Sequence, residues 1–228
     1  MSEWTFDRAA AMGGIGFVVL AGIASAIAPT TLALDSDAEE IRRKLAGHAD
    51  AIGTSALLSA LAMLAFGFLL AYVHGRLRSA ETRNGSSLPA CFAFAGTALV
   101  TIGLLGAVLQ AVVAHHTGGF DDPTLLLTFR LWQMVSYNLS ALPAGVMLLL
   151  AGVRTLQTGV FPRWLGVTAI VAGLAGLVAV SILYTTGEPA PTVIDAGGFA
   201  LAGLWMAATG IHAVVRPARP AFVATQTA

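Results

Sequence analysis

Arg130 stands in an otherwise apolar stretch, and Gln133, Tyr137 and Ser140 follow it at i+3, i+7 and i+10. At helical spacing these four share one face, with Asn138 beside it. A charged side chain at the centre of a membrane helix costs about 2.5–3.5 kcal/mol on insertion scales and turns toward a protein interior. The stripe is therefore expected to point inward. Asp50 and Asp195 stand at the starts of two further apolar stretches, and Gln110, His115 and His116 close another. Thr54 follows Asp50 by one turn. These groups define an outward-facing polar pocket around Arg130, with Gln133, Tyr137, Asn138, Gln110 and His115 as candidate ligand contacts and Asp195 or Asp50 as the partner of the arginine.

Such a pocket could bind a ligand, or it could work by acid/base chemistry with Asp50 and Asp195 as the candidate catalytic pair. The second use needs a carboxyl pKa raised by burial. A purely structural reading stays open beside both. Arg130 lies about 10 Å along a helix opened by Pro123, at about 1.5 Å per residue. It could fix helix register through one ion pair, or send its head to the surface with the stem buried.

Other chemistries lack their residues. Adjacent His115 and His116 cannot share one helical face, and neither HxxxH nor HExxH spacing occurs, so no metal is expected. No Walker loop, GxSxG elbow or CxxC is present, and no cofactor is implied. Cys91 is the single cysteine, which excludes an intramolecular disulfide.

The elements that would position these residues follow from composition. Of 228 residues 57% are hydrophobic and 11% charged, with mean hydropathy +0.80. A soluble domain carries about 25% charged residues. Twelve basic residues balance twelve acidic ones, so there is no basic footprint for nucleic acid. The lipid bilayer is the expected partner. A spanning helix needs about 20 mainly apolar residues, and six such stretches occur, over about 10–33, 51–74, 88–115, 124–153, 163–185 and 193–215. The fold class is thus all-α, a single polytopic bundle over 1–228 with six transmembrane helices.

One long connection, about 36–48, is expected to form a short external amphipathic helix. Ser36 with Glu39 makes its capping box, and Ile41, Leu45 and Ala46 form a face that lies on the membrane or covers the bundle. Ala24-Ser25-Ala26 resembles a signal-peptidase site, but Glu3 and Asp7 offset Arg8 and the apolar run continues past it, so the first helix is expected to be retained.

Sorting charges by side gives the orientation. With a cytoplasmic N-terminus, the inner segments hold Arg8, Arg76, Arg78, Arg83, Arg154, Arg163, Arg216 and Arg219 against Glu3, Asp7 and Glu81. The outer segments hold Arg42, Arg43 and Lys44 against Asp35, Asp37, Glu39, Glu40, Asp50, Asp121, Asp122, Glu188 and Asp195. Both termini are expected to be cytoplasmic, in a bacterial inner membrane. Gly103, Gly106, Gly173, Gly176, Gly197, Gly198 and Gly203 would let helices approach closely. Pro29 and Pro143 could kink the first and fourth helices, and Trp132, Trp164, Trp205 and Tyr184 include interfacial anchors. Leu69 to Gly96 and Leu150 to Gly173 share an order of apolar helix, arginines, turn, proline and apolar helix, which is either a duplicated hairpin or the common grammar of two loops.

Two segments carry a family resemblance. One runs from Glu40-Ile41-Arg42 through Leu45-Ala46-Gly47-His48 to Gly75-Arg76-Leu77-Arg78, and the other is Gly159-Val160-Phe161-Pro162-Arg163-Trp164-Leu165-Gly166. Both resemble uncharacterised actinobacterial integral membrane proteins, a domain-of-unknown-function family. The resemblance covers most of the chain and implies a six-helix bundle with no established activity. Three functions are therefore carried forward. The first is a membrane protein that binds a lipophilic small molecule or partner around Arg130. The second is an intramembrane enzyme acting on an isoprenoid-like or lipid substrate. The third is an accessory subunit of a transporter, for which a homo-oligomer is expected.

Overall fold

A computed structural model describes residues 3–28, 36–80, 86–186 and 192–215. Every regular element among them is helical: α1 (Glu3–Ile27), α2 (Ala38–Ala46), α3 (Ala49–Ser79), α4 (Leu88–His116), α5 (Asp122–Gln133), a π-helical segment (Met134–Leu139), α6 (Ser140–Thr158), α7 (Arg163–Thr186) and α8 (Thr192–Val215). The segment α5–π–α6 is one continuous rod, so six helices are long and apolar enough to cross a membrane. The protein is a multi-pass membrane protein.

The spans form a closed ring in chain order, α1 beside α3, then α4, the α5–α6 rod, α7, α8 and back to α1. We call the end holding α2 and the α4–α5 turn the α2 end, and the opposite one the termini end. Large side chains face outward. Leu57, Leu61, Leu64 and Phe68 on α3, and Val167, Val171, Leu174 and Val178 on α7, each recur at i, i+4, i+7 and i+11 and are exposed. That periodicity is a lipid-facing stripe. Inside, small residues let backbones close up, as lipid offers no hydrophobic force to drive helices together. A Cβ on Gly13 would strike Ala65 O, one on Gly14 would strike Met206 O, and one on Gly210 would lie 2.7 Å from Ala11 O. These contacts wedge α1 between α3 and α8 and so close the ring.

The boundaries carry local causes. The first helix was expected to reach residue 33, yet it ends at Ile27. Pro29 disfavours α geometry at the residue before it. The fourth helix, expected over 124–153, runs from Asp122 to Thr158, because Gly159 supplies the stop. Its φ of 66° is left-handed, and its N–H donates to Thr155 O, closing the last turn.

The short helix expected over 36–48 is shorter than that and differently capped. Asp37, not Ser36, is its N-cap, with Oδ1 accepting from Glu40 N at 2.7 Å. Ala38, Ile41 and Leu45 stand at i, i+3 and i+7 and form one buried face, packed with Ile52, Val113, Leu125, Phe129 and Trp132. Of the two expected placements for α2, the structure shows the one that covers the bundle. Arg42 ties it down, ion-pairing with Asp122 and donating to Phe120 O at 2.7 Å. Among the expected interfacial aromatics, Trp164 and Tyr184 are exposed, while Trp132 and Trp205 are core residues.

Candidate functional site

The fourth span decides where its polar groups go. Pro143 has no N–H and its ring crowds the carbonyl four residues back, that of Leu139. The π segment ends at Leu139. A π segment inserts an extra residue into the turn, and one residue is worth about 100° of helical phase. Residues before and after it therefore no longer share the face a straight α-helix would give them.

The expected polar stripe splits accordingly. Arg130 and Tyr137 are exposed, Gln133 and Asn138 are half-buried, and Ser140 is buried. The expectation that Arg130 points inward with its stripe is corrected. What the phase change brings inward is a pair of hydroxyls, Ser136 and Ser140, which the i+3/i+7 reading of Arg130 had not selected as a pair. A proline four residues after a polar segment was the available signal.

These hydroxyls line a cavity of about 180 Å³ at the centre of the ring. All six spans contribute to it, with Phe17, Met63, Leu99, Leu148, Ala172 and Met206 among its walls. No lining side chain is titratable. Ser140 Oγ donates to Ser136 O at 2.7 Å, so its proton is committed to the backbone. Ser136 Oγ lies over Gly106, where an added Cβ would sit 2.6 Å from it. Its hydroxyl has no hydrogen-bond partner among the described residues. Phe199 alone among the lining residues is exposed, at 51%, so the wall at that point is also the outer surface of the ring.

The other expected site residues whose side chains are described do not line this cavity. Asp50 and Thr54 are exposed near the start of α3. His115 is exposed at the end of α4 and packs over Gly53, where a Cβ would lie 2.7 Å from its Nε2. Gln110 is buried, and its Nε2 donates to Ser55 Oγ at 3.2 Å. Ser55 Oγ in turn donates to Ala24 O at 2.9 Å. Gln110 is thus part of a polar clamp joining α4, α3 and α1, each bond worth about 0.5–1.5 kcal/mol net. Asp195 falls in α8, and its side chain lies outside the described residues. No group of three or more metal-ligating side chains occurs among the described residues.

Residues 12–216 match the family described as Domain of unknown function (DUF4386). The chain belongs to that family. The match spans every helix of the ring, so the bundle is the DUF4386 unit itself. No curated protein and no solved structure matches the DUF4386 chain.

Proposed function

We propose that this DUF4386 protein binds a lipophilic small molecule in its central cavity, in a bacterial cytoplasmic membrane with both termini cytoplasmic. The observation that carries the reading is the cavity's chemistry, with apolar walls from six helices, no titratable group and, lining it, the hydroxyl of Ser136 without a partner among the described residues. An apolar cavity of about 150 Å³ stays dry and takes up a benzene-sized molecule. At about 180 Å³ the site suits a small ring or short branched chain bearing one oxygen for Ser136. The half-exposed Phe199 gives such a molecule a route from the bilayer rather than from water. This reading keeps the lipophilic ligand expected from the sequence and moves its site from Arg130 to the ring interior.

Gly203 supplies the test. It lines the cavity, and a Cβ built on it meets no atom within 4 Å, so a larger side chain fills space without a clash. Gly203→Leu is expected to abolish uptake of a small apolar fluorophore by the purified protein while leaving thermal unfolding within about 1 kcal/mol of wild type. Ser136→Ala should weaken binding of an alcohol or ketone probe about tenfold and spare its hydrocarbon analogue. Undiminished fluorophore binding by a folded Gly203→Leu protein removes the cavity from the function.

A further inference from the structure

The termini end holds an arginine that no carboxylate neutralises among the described residues. Arg154 is only 9% exposed, and its Nε has no hydrogen-bond partner. It makes no ion pair among the described residues. An uncompensated buried charge costs several kcal/mol, so such a group is held only where an opposite charge or strong acceptors reach it.

Helix phase and register place it. Gly145 and Gly152 of α6 face α7, where added Cβ atoms would meet Gly173 O and Gly166 O. At about 100° per residue, Arg154 is turned to the opposite side of α6, and the neighbour there is α4. The two helices are antiparallel, with Gly106 against Ser136. Eighteen residues back from Gly106 is Leu88, and eighteen on from Ser136 is Arg154. Arg154 is therefore level with the start of α4.

That start is a second electropositive feature. A helix N-terminus carries about half a positive charge and unsatisfied amides. Leu88 N–H donates to Ser86 Oγ, Pro89 has none, and Cys91 N–H donates to Ser87 O. Ala90 N–H is left without an acceptor among the described residues, and the Ser87 side chain makes no capping bond. His74 of α3 approaches the same turn, its Nδ1 3.0 Å from Pro89 O.

We propose that Arg154 and the first turn of α4 form a binding site for a phosphate oxyanion, supplied by the headgroup of an anionic phospholipid. The depth fits that source. Arg154 lies one turn from the end of α6 at Thr158, where a spanning helix meets the headgroups. A guanidinium and a helix N-terminus both favour phosphate, the one by paired donors and the other by its dipole.

The experiment compares thermal unfolding of the full chain in nanodiscs of phosphatidylcholine alone and of phosphatidylcholine with phosphatidylglycerol. Wild type should gain stability from phosphatidylglycerol, Arg154→Gln should lose that gain, and exposed Arg78→Gln should keep it. Phosphatidylglycerol should bind Arg154→Lys about tenfold more weakly than wild type, since an ammonium cannot make the paired contact. In detergent without phospholipid, no stabilisation by inorganic phosphate assigns the site to the lipid. Equal stabilisation by inorganic phosphate, lost in Arg154→Gln, assigns the same oxyanion site to free phosphate instead. If Arg154→Gln does not fold, the wild-type comparison and Arg154→Lys decide. The proposal is overturned if wild type is indifferent to phosphatidylglycerol, or if Arg154→Gln or Arg154→Lys responds as wild type does. It is equally overturned if Arg154→Gln and Glu81→Gln couple in a double-mutant cycle in phosphatidylcholine alone, which would make Glu81 the partner of the arginine.

Discussion

The two long hairpins, α3–α4 and α6–α7, are closed by the same seven-residue spacing used in different ways. In α6–α7 the glycines stand on both helices and meet backbone. A Cβ on Gly145 would lie 2.9 Å from Gly173 O, one on Gly173 2.8 Å from Gly145 O, and one on Gly152 2.6 Å from Gly166 O. In α3–α4 the glycines meet side chains instead, Gly96 receiving that of Leu70, Gly103 that of Met63 and, on α3, Gly53 that of His115. Seven residues separate each pair, which keeps them on one face of a helix packed against an antiparallel neighbour. Backbone against backbone has no rotamer with which to relax, whereas a Leu or Met against a glycine can turn away. One seam is rigid and the other adjustable, and the cavity lies between them.

That contrast is broken or sharpened by adding one carbon at a time. Gly152→Ala should be the most harmful, costing about 3 kcal/mol, the upper end of overpacking, read as loss of the folded band or a lowered Tm in detergent. Gly96→Ala should cost about 1–2 kcal/mol. A Leu70→Ala background should recover part of that loss, and the double-mutant cycle measures how much. Gly103→Ala should cost less than about 1 kcal/mol, because Met63 has three rotatable bonds with which to move aside. Equal losses at Gly152 and Gly103 would end the distinction between the seams.

Acid provides the gentlest comparison, because the glycine contacts of the α6–α7 seam contain no titratable group. Titration acts instead at α2. The Lys44 ammonium, 2.9 Å from Glu40 Oε1, and the Ser36 hydroxyl hold the Glu40 carboxyl below its ordinary value of 4.5. A depressed folded-state pKa contributes stability above the unfolded value and loses it as pH falls through the folded one. Lowering pH below about 4.5 should therefore reduce hydrogen-exchange protection factors in α2 and leave those of the α6–α7 hairpin unchanged. Glu40→Gln should remove that dependence. Protection lost first at α7 would contradict it.

The outline of the fold was legible because each span announces itself by length. The α2 helix was legible too, through the polar stretch that separates two apolar ones and the Ile41 and Leu45 spacing within it. The site was less so. Arg130, Gln133, Tyr137 and Ser140 line up only on an unbroken α-helix, and the π segment at Met134–Leu139 resets their phase. Pro143 was visible in the sequence, but a proline can produce a kink, a break or a π turn, and packing selects among them. Gln110 was singled out for its polarity at membrane depth. Its actual use, bonding Ser55 and through it the Ala24 carbonyl, depends on three helices meeting at one level. Gly145, Gly152 and Gly166 carry no polar atom to draw notice, and only their contacts show that they set the α6–α7 distance.

By itself the sequence determined that this chain must cross a membrane six times and be helical throughout the bilayer, since lipid offers no partner for a free backbone N–H or C=O. It could not determine which face of each helix looks inward. In water, burial separates apolar from polar residues, but in lipid the outer face is as apolar as the inner one. Tertiary structure made that choice through small residues and helix phase. It turned Ser136 toward a cavity and Arg130 toward the surface, and it buried Arg154 near the end of α6.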